Sequence, residues 1–256
     1  MKIIDLVTES YKLNVGEIKR WLSNHIQTAV DDDEPDRYIE ENFKINENTG
    51  HVSPRGGIHP VIIDVDEDEI PVTFSGFRYL TIKHCEIRTL KNLVPAGEQL
   101  LSLEVENCDI ETLEYCPDTR VLSIDNCQNF QSTKHCPEVK SLRLAEVNVR
   151  LEDLVDLPER LEDISFIRLP EMKTLKGIEK TLKQCDGLTL AFMSIESNVL
   201  GILKIKGLRR FEASHMSNAD EKKAFEIIKN NLKVSDGFTE AMDQLIEAGL
   251  KEYARS

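Results

Sequence analysis

Three stretches of this chain repeat one order of residue types: Leu80-Thr81-Ile82-Lys83-His84-Cys85, Leu103-Glu104-Val105-Glu106-Asn107-Cys108 and Leu122-Ser123-Ile124-Asp125-Asn126-Cys127. Each reads apolar, variable, apolar, variable, variable, Cys. The opening alternation fits an extended strand with one buried face, because successive strand side chains point to opposite sides. The cysteine falls out of that alternation, so the backbone has to turn just before it. A unit this short cannot bury its own aliphatic side chains. Neighbouring copies must cover them, which confines the chain to a stack of similar turns.

Aligned on the first apolar residue, the pattern runs through Leu80, Leu103, Leu122, Leu142, Ile164 and Leu188, at intervals of 23, 19, 20, 22 and 24 residues. A weaker seventh unit begins at Leu203. The second apolar column is Ile82, Val105, Ile124, Leu144, Phe166, Leu190 and Ile205; the third is Cys85, Cys108, Cys127, Val147, Leu169, Met193 and Leu208. A fourth column holds Ile87, Ile110, Val149 and Ile195, with Phe130 and Met172 expected to turn inward where Asn129 and Glu171 break it. The intervals, and a third column that takes Asn or Cys, are those of leucine-rich repeats. Downstream of the first four strands lies a second half-motif, as in Leu90-Lys91-Asn92-Leu93-Val94-Pro95 and Leu113-Glu114-Tyr115-Cys116-Pro117. Proline fixes φ and lacks a donor, so it ends the local turn. The convex stretch left over is too short for a long helix, and extended or 3-10 segments are expected there.

The expected architecture is an α/β-type solenoid of short leucine-rich repeats, with a parallel β ladder on its concave face. Residues 1–75 read as an N-terminal cap, 76–212 as six to seven repeats, and 213–256 as a helical C-terminal cap. Val15 to Ala29 has a helical pattern, with Ile18, Trp21, Leu22 and Ile26 on one side. Asp31 to Asp36 reads as an acidic loop, and Phe43 to Val52 as a hairpin turning at Asn48-Thr49-Gly50. Val61 to Val65 reads as a strand leading into the first repeat. Ser217 and Asp220 offer starts for one closing helix, and a second is expected from Phe238 to Tyr253.

A net charge of −14 argues against a general nucleic-acid binder, whose affinity comes from neutralising phosphates. No apolar run is long enough to span a bilayer. The start, Met1 to Asp5, lacks a signal-peptide pattern, so a cytoplasmic protein with reduced thiols is expected. Cys85, Cys108 and Cys127 share a column, as do Cys116 and Cys136, with His84 and His135 close in sequence. Stacked thiols beside histidines could hold zinc, but zinc sites show close pairs such as C-x-x-C and none occurs here. A small buried thiol fits the column without a metal, so the three are read as structural ladder residues, with no metal or cofactor expected.

Tyr38 to Val52, the Val61–Val65 strand and the repeats with Leu-x-x-Leu/Cys-Pro together resemble leucine-rich repeat proteins encoded by tailed bacteriophages. The tail, Asp243 to Ala254, resembles the ending of that family as well. The resemblance covers residues 15–255, implies the solenoid and its caps, and carries no catalytic residues. The chain departs from the family in having fewer Asn at the ladder position and a longer gap before Leu188.

Function is expected on the concave columns. The early strands there are acidic, with Glu104, Glu106 and Asp125. The later ones are basic or apolar, with Arg143, Ile167, Arg168, Phe192, Lys204 and Lys206. Exposed Ile and Phe beside Arg are the composition of an interface centre. The expected function is therefore non-enzymatic binding of an unidentified protein partner, and the resemblance to phage-encoded proteins implies a host protein as that partner. A structural or virion-associated protein is the second reading. A thiol-dependent enzyme using Cys185, in an irregular stretch expected to be exposed, or a Cys/His pair, is a remote third, because no base stands at a readable spacing.

Overall fold

A computed structural model describes residues 13–255; the reading of Met1 to Asp5 lies outside them. Three helices open the described chain: α1 (Val15–His25), α2 (Gln27–Val30) and α3 (Pro35–Asn42). Asn14 caps α1 in a reciprocal box with Glu17: each side chain accepts the other's backbone N–H, at 3.0 and 2.7 Å. The helix expected from Val15 to Ala29 is interrupted at Ile26, whose backbone is extended and bridges Ile62. The stretch after Glu34, expected to be loop, is helical as α3, with Pro35 in its first turn, where a missing N–H costs nothing.

The hairpin forms as expected. β1 (Phe43–Ile45) pairs antiparallel with β2 (Val52–Pro54). Asn46 Oδ1 accepts from the Asn48 and Thr49 N–H groups, and Gly50 closes the turn at φ +72°.

The rest is a parallel β-solenoid. β3 (Val61–Ile63), β4 (Tyr79–Lys83), β5 (Leu100–Glu106), β6 (Thr119–Asp125), β7 (Ser141–Ala145) and β8 (Leu161–Ile167) stack in chain order. After the short helix α4 (Ile178–Thr181) come β9 (Cys185–Ala191) and β10 (Arg210–Ser214), completing one sheet of eight strands. The register puts Leu80, Leu103, Leu122, Leu142, Ile164, Leu188 and Phe211 side by side, and Ile62, Ile82, Val105, Ile124, Leu144, Phe166, Leu190 and Ala213 in the next column. The third and fourth columns are buried too, and Phe130 and Met172 do turn inward. On the return path lie α4 and two 3-10 turns, Leu151–Asp153 and Leu200–Lys204.

One position departs from the expected repeat. Leu203 and Ile205 do not begin a strand; they belong to, or follow directly on, the 3-10 turn Leu200–Lys204. The last rung starts at Phe211. Leu203-x-Ile205 fits the apolar alternation, but it comes too soon after Leu188 for the chain to complete its return path.

After each strand one residue adopts a left-handed conformation. Asp64, His84, Asn107, Asn126, Glu146, Arg168, Phe192 and His215 have φ between 49° and 55°. There the chain turns inward and delivers the third column, Cys85 to Met193, to the core. From His84 to Phe192, the N–H of the left-handed residue donates to a carbonyl of the following strand, at 2.9–3.1 Å, which prolongs the ladder by one bond per rung.

At the far end α5 (Ala219–Asn231) and α6 (Gly237–Glu247) pack over the last rung, with Phe225 meeting Phe211 at 5.8 Å between ring centres. Glu221 is fully buried and ties this unit down. Its carboxylate accepts from the Ile195 N–H at 2.7 Å, and from the Ser217 N–H and hydroxyl at 2.9 and 2.7 Å. Among the described residues no helix is long and apolar enough to cross a membrane.

Candidate interaction face

The outward face of the sheet carries columns set by the same register. One runs Thr81, Glu104, Ser123, Arg143, Ser165, Thr189, Glu212; the next runs Lys83, Glu106, Asp125, Ala145, Ile167, Ala191, Ser214. The expected acidic-to-basic gradient is largely neutralised in place. Lys83 Nζ lies 2.5 Å from Glu106, and Arg143 reaches Asp125 at 3.2 Å. The Glu106 hydrogen bond holds the Lys83 ammonium above its ordinary range. Thr81 Oγ1 lies 3.3 Å from Glu104. These partly exposed pairs contribute at most about 1 kcal/mol each. They do fix these long side chains on the face.

Toward β8 and β9 the floor becomes small and flat. Ala145 and Ala191 are buried in spite of facing outward, Ser165 and Thr189 flank them, and Ile167 is half-buried between the two alanines. Gly187 continues this floor. A Cβ there would stand 2.2 Å from Asp163 Oδ1, so only glycine lets Arg210 reach across the intervening strand to Asp163, at 2.8 Å.

The margin of this floor is the left-handed column. Asn126 hydrogen-bonds Asn107 there, and Arg168 pairs with Glu146. The Arg168 guanidinium lies 5.0 Å above the Phe192 ring, which is 44% exposed. Phe192 in turn stacks on His215, 4.3 Å between centres and 3° from parallel. Glu146, Arg168, Phe192 and His215 thus form one outward row along four successive rungs. The earlier rungs use Asp64, His84, Asn107 and Asn126, mostly the types that tolerate a left-handed backbone; Glu146, Arg168 and Phe192 do not belong to that set. Such a conformation costs an L-residue roughly 1–2 kcal/mol.

Of the expected site residues, Glu104, Glu106, Asp125, Arg143 and Ile167 share the outward face, with Arg168 and Phe192 along its edge. Lys204 and Lys206 do not lie on the strand. Lys204 ends the 3-10 turn, with its ammonium 4.1 Å from the centre of the Phe238 ring, and Lys206 bridges Gln184 before β9. The seventh rung starts at Phe211 and not at Leu203, which takes both lysines off the face and brings His215 to its edge.

Four of the six thiols occupy the core, while Cys116 and Cys136 are half-buried against it. Cys85, Cys108 and Cys127 are buried, with each Sγ 3.8–4.0 Å from a carbonyl of the preceding strand. Burial pushes Cys127 up to about 11. The Cys108 thiol is held up by its hydrogen bond with Cys85 and by burial. Cys185, expected in an exposed stretch, is instead the first residue of β9 and fully buried, and desolvation pushes it up to about 11. Among the described residues no group of three His, Cys, Asp or Glu side chains is placed to hold a metal ion. Comparison with family models, curated proteins and solved structures finds no match.

Proposed function

We propose that this chain is a non-enzymatic binding module of the leucine-rich repeat type, which docks a protein partner on the face centred on Ile167, Arg168 and Phe192. The observation that carries the reading is the left-handed row. Glu146, Arg168 and Phe192 occupy backbone positions where Asn would be less strained, in consecutive rungs beside a flat floor of small residues. Backbone strain of this sort persists where a particular side chain is needed. Arg and aromatic side chains on a flat, preorganised floor match the centre of a protein interface. A rigid wall loses little conformational entropy when a partner binds.

In this reading the helices at both ends serve as caps for the open stack. The resemblance to phage-encoded repeat proteins extends the proposal to a host protein as the partner, met in the host cytoplasm. Arg168→Glu and Phe192→Ala are expected each to weaken capture of that partner from host extract about thirtyfold, a hot-spot loss, with unchanged thermal unfolding. Undiminished capture by both variants would refute the assignment.

A further inference from the structure

The two outer strands of the sheet are treated differently. On β3, Ile62 bridges Ile26 in an antiparallel pair, and His25 Nδ1 lies 3.0 Å from the Ile63 carbonyl, so that edge is engaged. On β10, the Ser214 carbonyl accepts from the Phe192 N–H at 3.1 Å and therefore faces β9. Backbone groups of successive strand residues alternate in direction. Those of Phe211 and Ala213 thus face away from β9, and among the described residues nothing hydrogen-bonds to them. An edge left in this state is a template for another strand.

Beside this edge runs a cleft of about 280 Å³. Ala213 to Met216 form one wall; Lys222, Phe225, Glu226 and Lys229 of α5 form the other. The helical residues recur every three to four positions, so they share one face of α5. Lys222 and Lys229 are exposed, and among the described residues neither forms an ion pair. That is notable in a chain with 46 acidic residues against 32 Lys and Arg.

We propose that the cleft between β10 and α5 is a docking site for an extended acidic segment of a partner protein. The segment adds as a strand to Phe211 and Ala213, sets its carboxylates against Lys222 and Lys229, and rests an apolar side chain on Met216 and Phe225. In strand addition, main-chain bonds supply affinity and the flanking pocket supplies selectivity. The free lysines select carboxylates, and the unpaired edge requires a peptide backbone, which a nucleic acid lacks. This site does not depend on the Arg168–Phe192 reading.

The test uses the full chain with a short fluorescein-labelled peptide of alternating Val and Glu, followed by fluorescence anisotropy and hydrogen exchange. A Val–Lys peptide and oligothymidylate are the comparison probes. The Val–Glu peptide is expected to bind and to slow exchange at the Phe211 and Ala213 amides. The double variant Lys222→Glu, Lys229→Glu should weaken it about tenfold or more, while Arg168→Glu leaves it unchanged. Lack of binding, binding without protection of those amides, or equal affinity for either comparison probe overturns the proposal. So does indifference to the double variant. Protection of the same amides in the free chain as its concentration rises also overturns it, because a second copy would then be the occupant.

Discussion

At the scale of single residues, the thiol column shows how a weak donor can serve as a structural device. Cys85, Cys108 and Cys127 each donate to the carbonyl two residues earlier, at 3.1–3.4 Å, and lie 3.8–4.0 Å from a carbonyl of the preceding strand, while filling a core layer. Burial makes the thiolate unfavourable there, which gives a pH dependence with a definite sign. The Cys127 thiol ordinarily titrates at 9.0 and is pushed up to about 11 in the fold. Below pH 9 both folded and unfolded chains keep the proton, and the contribution is intact. Above it the unfolded chain loses the proton while the folded chain retains it, so stability falls as the pH rises toward 11. Two units correspond to about 2–3 kcal/mol for a single site. Denaturant unfolding at about pH 8 and about pH 10.5 is therefore expected to show a loss of at least about 2 kcal/mol, to which Cys185, pushed up equally, adds. In Cys127→Ala the loss should be smaller, and an identical loss in the variant would remove this account.

At the scale of elements, one buried carboxylate joins the solenoid to the helices that follow it. Glu221 receives three hydrogen bonds, one of them from Ile195 in the fourth column, so α5 is fixed to the last rungs rather than resting on them. Glu221→Ala leaves those donors without an acceptor and is expected to cost about 2–3 kcal/mol. Faster hydrogen exchange across α5 and α6 than across β5 to β7 would locate the loss, and Glu221→Gln should recover part of it. The ladder from β4 to β9 was legible in the sequence because apolar alternation and a buried residue just after the turn repeat together at a fixed spacing. Neither signal marks Glu221, since a buried carboxylate looks like any other acid in a charged helix start. The last rung was misread for a related reason: Leu203 and Ile205 fit the alternation, but only the length of the return path distinguishes them from Phe211 and Ala213. The helix α3 was hidden by the acidic run before it, although Pro35 and the acid beside it are a readable helix start. The row Glu146, Arg168, Phe192 could be listed from sequence; its strain and its contacts required the backbone.

At the scale of the whole molecule, a stack held by neighbour-to-neighbour contacts is only as soluble as its ends. The first end is occupied through Ile26 and His25. The last is covered on its core side by α5 and α6, and the Asn198 and Val199 N–H groups donate to the Glu252 and Tyr253 carbonyls at 3.1 and 3.2 Å. Removing residues 217–256 would bare Phe211, break those bonds and uncover the fourth column at Ile195. The removed segment is close to neutral, with eight acidic and six basic residues, so most of the chain's −14 charge stays behind. Any change in association then reports exposed core rather than lost repulsion. The shortened chain is expected to form larger species as its concentration rises, at concentrations where the full chain sediments unchanged. Were both chains to sediment alike across that range, β10 and the core beneath it would not be the vulnerable end of the stack, and the helices there would need a purpose other than closing it.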